Sequence, residues 1–191
     1  MAKIYGIELK NIKTGEGMEG MSLIGSLYLD GKRVGKYKDY GDGAYGTYEG
    51  DHEKEVNERI AQYFRENPQE DFMKLYAMDV TPEDYVKMKK DGTMPYTQEP
   101  SLDIFIDDLF NLSNAEKDWK KAQKQGYPCF VTVRFVSLPN TPCPIDYDYS
   151  CKDDAETIER IKAEADKKCL ANIVTVYRTE EDFIISSPKT A

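Results

Sequence analysis

Histidine, closely spaced cysteines and long apolar runs are scarce in this sequence, and each shortage weighs against a class of protein. Among 191 residues there is one histidine, His52, and four cysteines without a Cys-x-x-Cys pair. Zinc sites need closely spaced ligands of these types, and acid–base catalysis uses histidine most often. No apolar run approaches the ~18 residues of a membrane-spanning helix. The sequence therefore predicts no bound metal, no cofactor and no membrane span.

The cysteines are Cys129, Cys143, Cys151 and Cys169. The N-terminal residues alternate like a strand and do not form the apolar segment of a signal peptide, so we expect a cytoplasmic protein with reduced thiols. Cys129 and Cys169 fall in apolar patterns that predict core positions. Cys143 and Cys151 flank a proline-rich loop and could form a bridge in an oxidising compartment.

Basic residues are also fewer than acidic ones. The formal net charge is −9, and residues 39–51 contain four carboxylates without a lysine or arginine. Direct nucleic-acid binding needs a basic surface, which only the N-terminal part, around Lys36 and Lys38, could supply. The charge pattern predicts instead a protein partner with a basic surface, and no nucleic acid or membrane as a direct partner.

Residues 37–51 carry the most information. Four of the fourteen tyrosines and four of the thirteen glycines lie there. Glycine packs poorly in a core strand, whereas tyrosine offers a large rigid ring with a polar end. The composition predicts a mobile surface loop that makes contacts. The predicted protein-binding residues are, in this loop, Tyr40, Asp42, Tyr45, Tyr48 and Glu49, and, on a second acidic surface, Asp107, Asp108, Asp146 and Asp148.

The fold class predicted from periodicity is α+β. Three strands, at residues 3–12, 23–29 and 33–38, form an antiparallel meander whose Asp30-Gly31 pair is a strong turn signal. A helical middle follows, with Thr81 capping one helix and Ser101 a longer one. The last third predicts a βαβ-like unit that completes the same mixed sheet, with residues 183–185 as an edge strand or packed tail. We expect one domain over 1–191, divisible into 1–50, 51–125 and 126–191.

Other uses of these segments stay open. Gly41, Gly43 and Gly46 match the letters of a dinucleotide loop, but Asp42 would repel the pyrophosphate and no βαβ unit follows. The loop carboxylates could bind calcium irregularly, and residues 137–150 could hold a ligand beyond a strand. A small-ligand or metal-binding protein, an enzyme and a self-assembling homo-oligomer are the alternatives, although no nucleophile or metal motif favours catalysis.

Three segments carry a resemblance. KIYGIELKNIK at residues 3–13, LYLDGKRVG at 27–35 and VYRTEEDF at 176–183 are similar to small acidic bacterial proteins of unknown function whose genes can be carried by phages and mobile elements. The resemblance implies an accessory protein and brings no catalytic residues. Because some small acidic phage-borne proteins inhibit host defence nucleases, it implies an anti-CRISPR-like inhibitor. We therefore expect a non-catalytic, protein-binding inhibitor of a nucleic-acid-binding defence protein.

Overall fold

The computed structural model describes residues 1–97 and 99–186, which fall into two compact units. The first comprises residues 1–67, 99–116 and 180–186, and the second comprises residues 68–97 and 117–179. The single domain over residues 1–191 stays a prediction. Within the described residues, every helix is too short or too polar to cross a bilayer.

The fold class is α+β, as predicted. In chain order they are β1 Lys3–Ile4, β2 Ile7–Glu16, β3 Met21–Leu29, β4 Lys32–Asp39, β5 Thr47–Glu49, α1 Glu53–Glu66, β6 Gln69–Glu70, α2 Phe72–Ala77, α3 Pro82–Asp91, β7 Tyr96–Thr97, α4 Leu102–Lys124, β8 Cys129–Phe135, β9 Tyr147–Cys151, α5 Ala155–Lys168, β10 Asn172–Tyr177 and β11 Ile184–Ile185.

The first unit is built on a mixed sheet of order β11-β1-β2-β3-β4-β5. The antiparallel meander is confirmed, and Asp30 and Gly31 join β3 to β4 with φ of 47° and 82°, the left-handed backbone of a tight hairpin turn. The predicted first strand is split, because Tyr5 and Gly6 also take positive φ and turn the chain between β1 and β2. The predicted edge strand at residues 183–185 is confirmed, since β11 pairs in parallel with β1.

The core of the first unit lies between this sheet and helices α1 and α4. Ile7, Leu27 and Phe105 are fully buried. The Tyr63 ring on α1 meets Tyr5 and Phe105 edge to face, with centroids 5.7 and 5.5 Å apart. Such aromatic contacts add to the burial of apolar area and fix the two helices against the sheet.

The helix signals are also confirmed. Thr81 and Asp84 form a reciprocal capping box at α3, Pro82 takes the first helical position, and Gly92 ends the helix in the left-handed conformation. These residues satisfy backbone groups that a helix end leaves unpaired. Helix α4 runs unbroken through Ser113, whose hydroxyl donates to the Leu109 carbonyl four residues earlier.

The C-terminal strands correct the predicted topology. Strands β8, β9 and β10 do not join the first sheet, as β11 does, but form their own, of order β10-β8-β9, in which both neighbours of β8 are antiparallel to it. The sequence analysis missed β9, which lies at the end of the presumed loop 137–150. Strands β9 and β10 run in the same direction and are joined by α5, so the unit is a βαβ crossover with β8 inserted between its strands. Strand β8 is the central strand of this sheet, with Val131 and Val133 fully buried.

Candidate protein-binding surface

Two turns of the first unit pack against each other backbone to backbone. The Glu19 amide donates to the Gly41 carbonyl at 2.7 Å, and the Gly17 amide closes its own turn on the Gly20 carbonyl at 2.7 Å. A Cβ at Gly17 would lie 2.4 to 2.6 Å from backbone atoms of Tyr40 and Gly41. Glycine is therefore required for this close approach. We call residues 16–21 and 39–46 the paired turns.

The side chains of the paired turns are apolar and acidic. Met18 and Tyr45 are 93% and 90% exposed, and Met21 and Tyr40 are 52% and 58% exposed. Around them lie the carboxylates of Glu16, Glu19, Asp39 and Asp42, while neither turn contains a basic residue. Exposed clusters of large apolar side chains mark interaction surfaces more often than isolated ones do. Of the predicted contacts, Tyr40, Asp42 and Tyr45 lie here.

Hydrogen bonds hold the tyrosine-rich turn in place, although the sequence predicts a mobile loop. Asp39 and Asp42 each accept from a backbone amide two residues ahead, Gly41 at 2.8 Å and Ala44 at 3.2 Å. The Gly46 amide donates to Asp103 Oδ1 at 3.1 Å. The turn is thus tied to itself, to the neighbouring turn and to the first turn of α4.

Asp103 also accepts a hydrogen bond from the buried Tyr37 hydroxyl at 2.8 Å. Burial, this bond and the nearby charges of Asp39 and Asp107 raise the pKa of Tyr37 far above its usual range. Burial, together with the charges of Asp103 and Asp39, also raises the pKa of Asp107. The charges of Asp39 and Asp103 thus act on Asp107, and the Asp103–Gly46 hydrogen bond links the predicted acidic helix to the tyrosine-rich loop.

Three predicted contact residues make bonds inside the first unit. The Tyr48 hydroxyl donates to the Val34 carbonyl at 2.7 Å, and Glu49 pairs with Lys38 at 2.7 Å on the surface. On α4, Asp108 accepts from the Tyr63 hydroxyl at 2.9 Å, and burial raises the pKa of this carboxyl. Tyr48 and Asp108 hold elements together, whereas Glu49 remains exposed beside its lysine.

Asp146 and Asp148 lie in the second unit and share one arginine. Arg134 Nη1 contacts Asp148 Oδ1 at 2.8 Å, and Arg134 Nε lies 3.7 Å from Asp146 Oδ2. Asp146 Oδ1 also accepts from the Phe135 amide at 2.8 Å. The arginine compensates part of this charge, whereas the paired turns contain no arginine or lysine of their own.

Small-ligand sites have less support from the geometry. Among the described residues, no three histidine, cysteine or carboxylate groups come together in a way that could hold a metal. A cavity of about 410 Å³ between β4 and β5 mixes the charges of Arg33, Lys36, Glu49 and Asp51. Another, of about 360 Å³, lies against the 137–150 loop between Pro142 and Lys168. Neither contains histidine or an assembled nucleophile–base pair.

The sequence predicts a connection between the first two strands of the meander, but the β2–β3 turn was not among the predicted contact residues. Residues 16–21 of this turn are two glutamates, two glycines and two methionines, a composition like that of the tyrosine-rich loop. That likeness was the available signal, but only strand pairing shows that the two segments meet. Comparisons of the chain with profiles of protein families, with curated proteins and with solved structures find no match.

Proposed function

We propose that this protein is a non-catalytic binding protein that attaches to a basic surface of a larger protein through its paired turns. The observation that carries the proposal is the exposure of two methionines and two tyrosines among carboxylates that no basic residue of the turns neutralises. Acidic groups would steer the encounter with a basic partner. The tyrosines would anchor the complex, since aromatic side chains dominate binding energies at interfaces.

The chemistry of the surface favours binding over catalysis. The paired turns contain no histidine, cysteine, serine, threonine or lysine, so they lack the imidazole, thiol, aliphatic hydroxyl and amine groups that serve in covalent and acid–base catalysis. Their groups can contact a partner but offer little to a reacting substrate.

We further propose that the partner surface is one that binds nucleic acid, in the manner of an inhibitor of a host defence protein. A basic surface that accepts these carboxylates would also accept phosphates. The resemblance of residues 3–13, 27–35 and 176–183 to phage-borne acidic proteins supports the same form of the proposal. Nucleic acid and this protein should then compete for one partner.

The test is a pull-down from bacterial lysate with the tagged protein, with bound proteins identified by mass spectrometry. The test variant is Tyr40→Ala/Tyr45→Ala. The matched control is Tyr127→Ala, which removes a tyrosine of the second unit that is 42% exposed. The affinity for the captured partner is then measured at about 50 mM and about 500 mM salt, where screening lengths differ several-fold. Duplex DNA and RNA are added in separate measurements as competitors.

We expect one dominant partner that Tyr127→Ala still captures and that Tyr40→Ala/Tyr45→Ala does not. High salt and added nucleic acid should each release this partner from the wild-type protein. Equal capture by both variants would place the interface elsewhere. Affinity that does not change with salt would contradict acidic steering. A salt-sensitive partner that nucleic acid fails to displace would refute the inhibitor form while leaving the binding surface in place.

A further inference from the structure

Two cysteines of the second unit face each other across neighbouring strands. Cys129 is the first residue of β8 and pairs directly with Cys151, the last residue of β9. Directly opposite residues of antiparallel strands have Cα atoms about 4.5 to 5.5 Å apart. A disulfide needs Cα atoms roughly 4.4 to 6.8 Å apart. The strand register thus brings the two backbones within the span of a disulfide bond.

The surroundings keep these thiols unreactive in the closed fold. Cys129 is fully buried and Cys151 is 8% exposed. Burial, with the neighbouring Cys151 and Asp153, raises the pKa of Cys129 to about 12, while burial also raises the pKa of Cys151. The thiolate is the reactive form, so oxidation requires local opening. Strand β9 allows it, because within the part of the chain that the structure describes it is an edge strand with β8 as its one neighbour.

We propose that Cys129 and Cys151 are a site of reversible oxidation. They form a cross-strand disulfide with each other by thiol–disulfide exchange, and the oxidant is a low-molecular-weight disulfide such as oxidised glutathione. When the end of β9 opens, the Cys151 thiolate attacks one sulfur of the small disulfide and releases one small thiol. The Cys129 thiolate then attacks the Cys151 sulfur and displaces the second. Two protein thiols are oxidised, one small disulfide is reduced to two thiols, and the protons of the cysteines pass to those thiols.

The other cysteines are placed less well for this reaction. Cys143 is exposed in the proline-rich loop and lies 3.8 Å from the Phe135 carbonyl oxygen. Cys169 is buried at the end of α5, with its sulfur 3.9 Å from the Ala171 carbonyl oxygen. Neither is paired in strand register with another cysteine. The structure therefore favours the 129–151 bridge over the 143–151 bridge that the sequence suggested.

The bridge would fasten an edge strand and enclose the proline-rich loop. Closing the loop between Cys129 and Cys151 restricts the unfolded chain and thereby stabilises the folded state. In a protein of this length, the stabilisation typical of one disulfide raises Tm by roughly 5 to 10 °C. The inference is independent of the proposed binding function, since it concerns the second unit alone.

The experiment equilibrates the full chain in glutathione buffers of increasing oxidised fraction, then quenches with acid, alkylates free thiols and maps peptides without reduction. We expect a linked pair of peptides that contain Cys129 and Cys151, with Cys143 and Cys169 alkylated. The Cys143→Ser control should keep the bridge, whereas Cys151→Ser should abolish it. Oxidation should raise Tm by the stated amount in the wild type and the control, and dithiothreitol should reverse the rise.

A 143–151 link, or four alkylated thiols in the most oxidising buffer, would overturn the proposal. Because Cys151→Ser changes a buried residue, its reduced form is first compared with the reduced wild type by circular dichroism. If that variant fails to fold, the peptide map of the wild type and of Cys143→Ser decides the question alone.

Discussion

Replacement of Asp103 by alanine should release the tyrosine-rich turn and destabilise the first unit. One oxygen of Asp103 accepts both the Tyr37 hydroxyl at 2.8 Å and the Gly46 amide at 3.1 Å. Alanine removes both bonds and leaves the hydroxyl of Tyr37, a residue only 2% exposed, without this acceptor. A hydrogen bond to a charged group contributes about 1.5 to 3 kcal/mol, and an unsatisfied buried donor costs a similar amount.

Since Gly46 can turn to solvent and Tyr37 can relax, we expect a loss of about 2 to 4 kcal/mol in the free energy of unfolding. For a chain of this length that lowers Tm by roughly 5 to 10 °C. The matched variant is Asp103→Asn, which keeps an oxygen acceptor and removes charge repulsion with Asp39 and Asp107. It should stay within about 1 kcal/mol of the wild type.

Urea unfolding followed by circular dichroism gives the stabilities, and amide hydrogen exchange gives the local effect at Gly46. Exchange there should accelerate strongly in Asp103→Ala and little in Asp103→Asn. If Asp103→Ala unfolds within about 0.5 kcal/mol of the wild type and exchange at Gly46 is unchanged, Asp103 does not hold the turn, and this reasoning is refuted.

Three further perturbations test the same physical picture. Gly17→Ala should separate the paired turns, because its Cβ would overlap the backbone of the facing turn, and limited proteolysis should then cut within residues 39–46. Asp107→Asn should stabilise the protein at neutral pH: the raised pKa of Asp107 means that its charged form disfavours the fold. That advantage should shrink as pH falls through the raised pKa, where the wild-type carboxyl gains its proton in the folded state, and melting curves in a pH series check this. Tyr147→Phe should be neutral or stabilising by up to about 1 kcal/mol in a urea titration, because among the described residues its buried hydroxyl has no partner. The matched variant Tyr149→Phe loses a hydrogen bond to Glu164, so it should be neutral or destabilising in the same titration.

Local signals explain which parts of the fold the sequence predicts. Asp30-Gly31 specifies a hairpin turn, and Thr81, Pro82 and Gly92 specify both ends of α3, because each acts on backbone groups a few residues away. The structure confirms all of these positions. The short β9, Tyr147–Cys151, escapes detection because acids and tyrosines alternate at residues 146–149, directly after a proline-rich stretch, and this segment looks like a loop until β8 pairs with it.

Long-range contacts explain what the sequence leaves out. In the structure Tyr40 and Tyr45 are exposed, whereas Tyr48 is partly buried. In the sequence all three are tyrosines of one glycine-rich segment and cannot be told apart. Asp103 has the ordinary position of an acid near a helix start, which its favourable interaction with the helix dipole already explains. Only the fold brings it to Gly46, 57 residues away along the chain. A surface assembled from several turns therefore cannot be predicted in full from the local pattern of any one of them.

The way in which the paired turns are held bears on how they would bind. A flexible loop loses conformational entropy when a partner fixes it, and this loss reduces affinity. Here hydrogen bonds from Gly41 and Gly46 restrict the turn before any partner arrives. The exposed rings of Tyr40 and Tyr45 are thus presented from a fixed backbone, and glycine at position 17 permits the close packing that fixes it. The same acids that give the surface its charge also hold its shape, so Asp39 and Asp103 should affect binding through preorganisation even where they do not touch the partner.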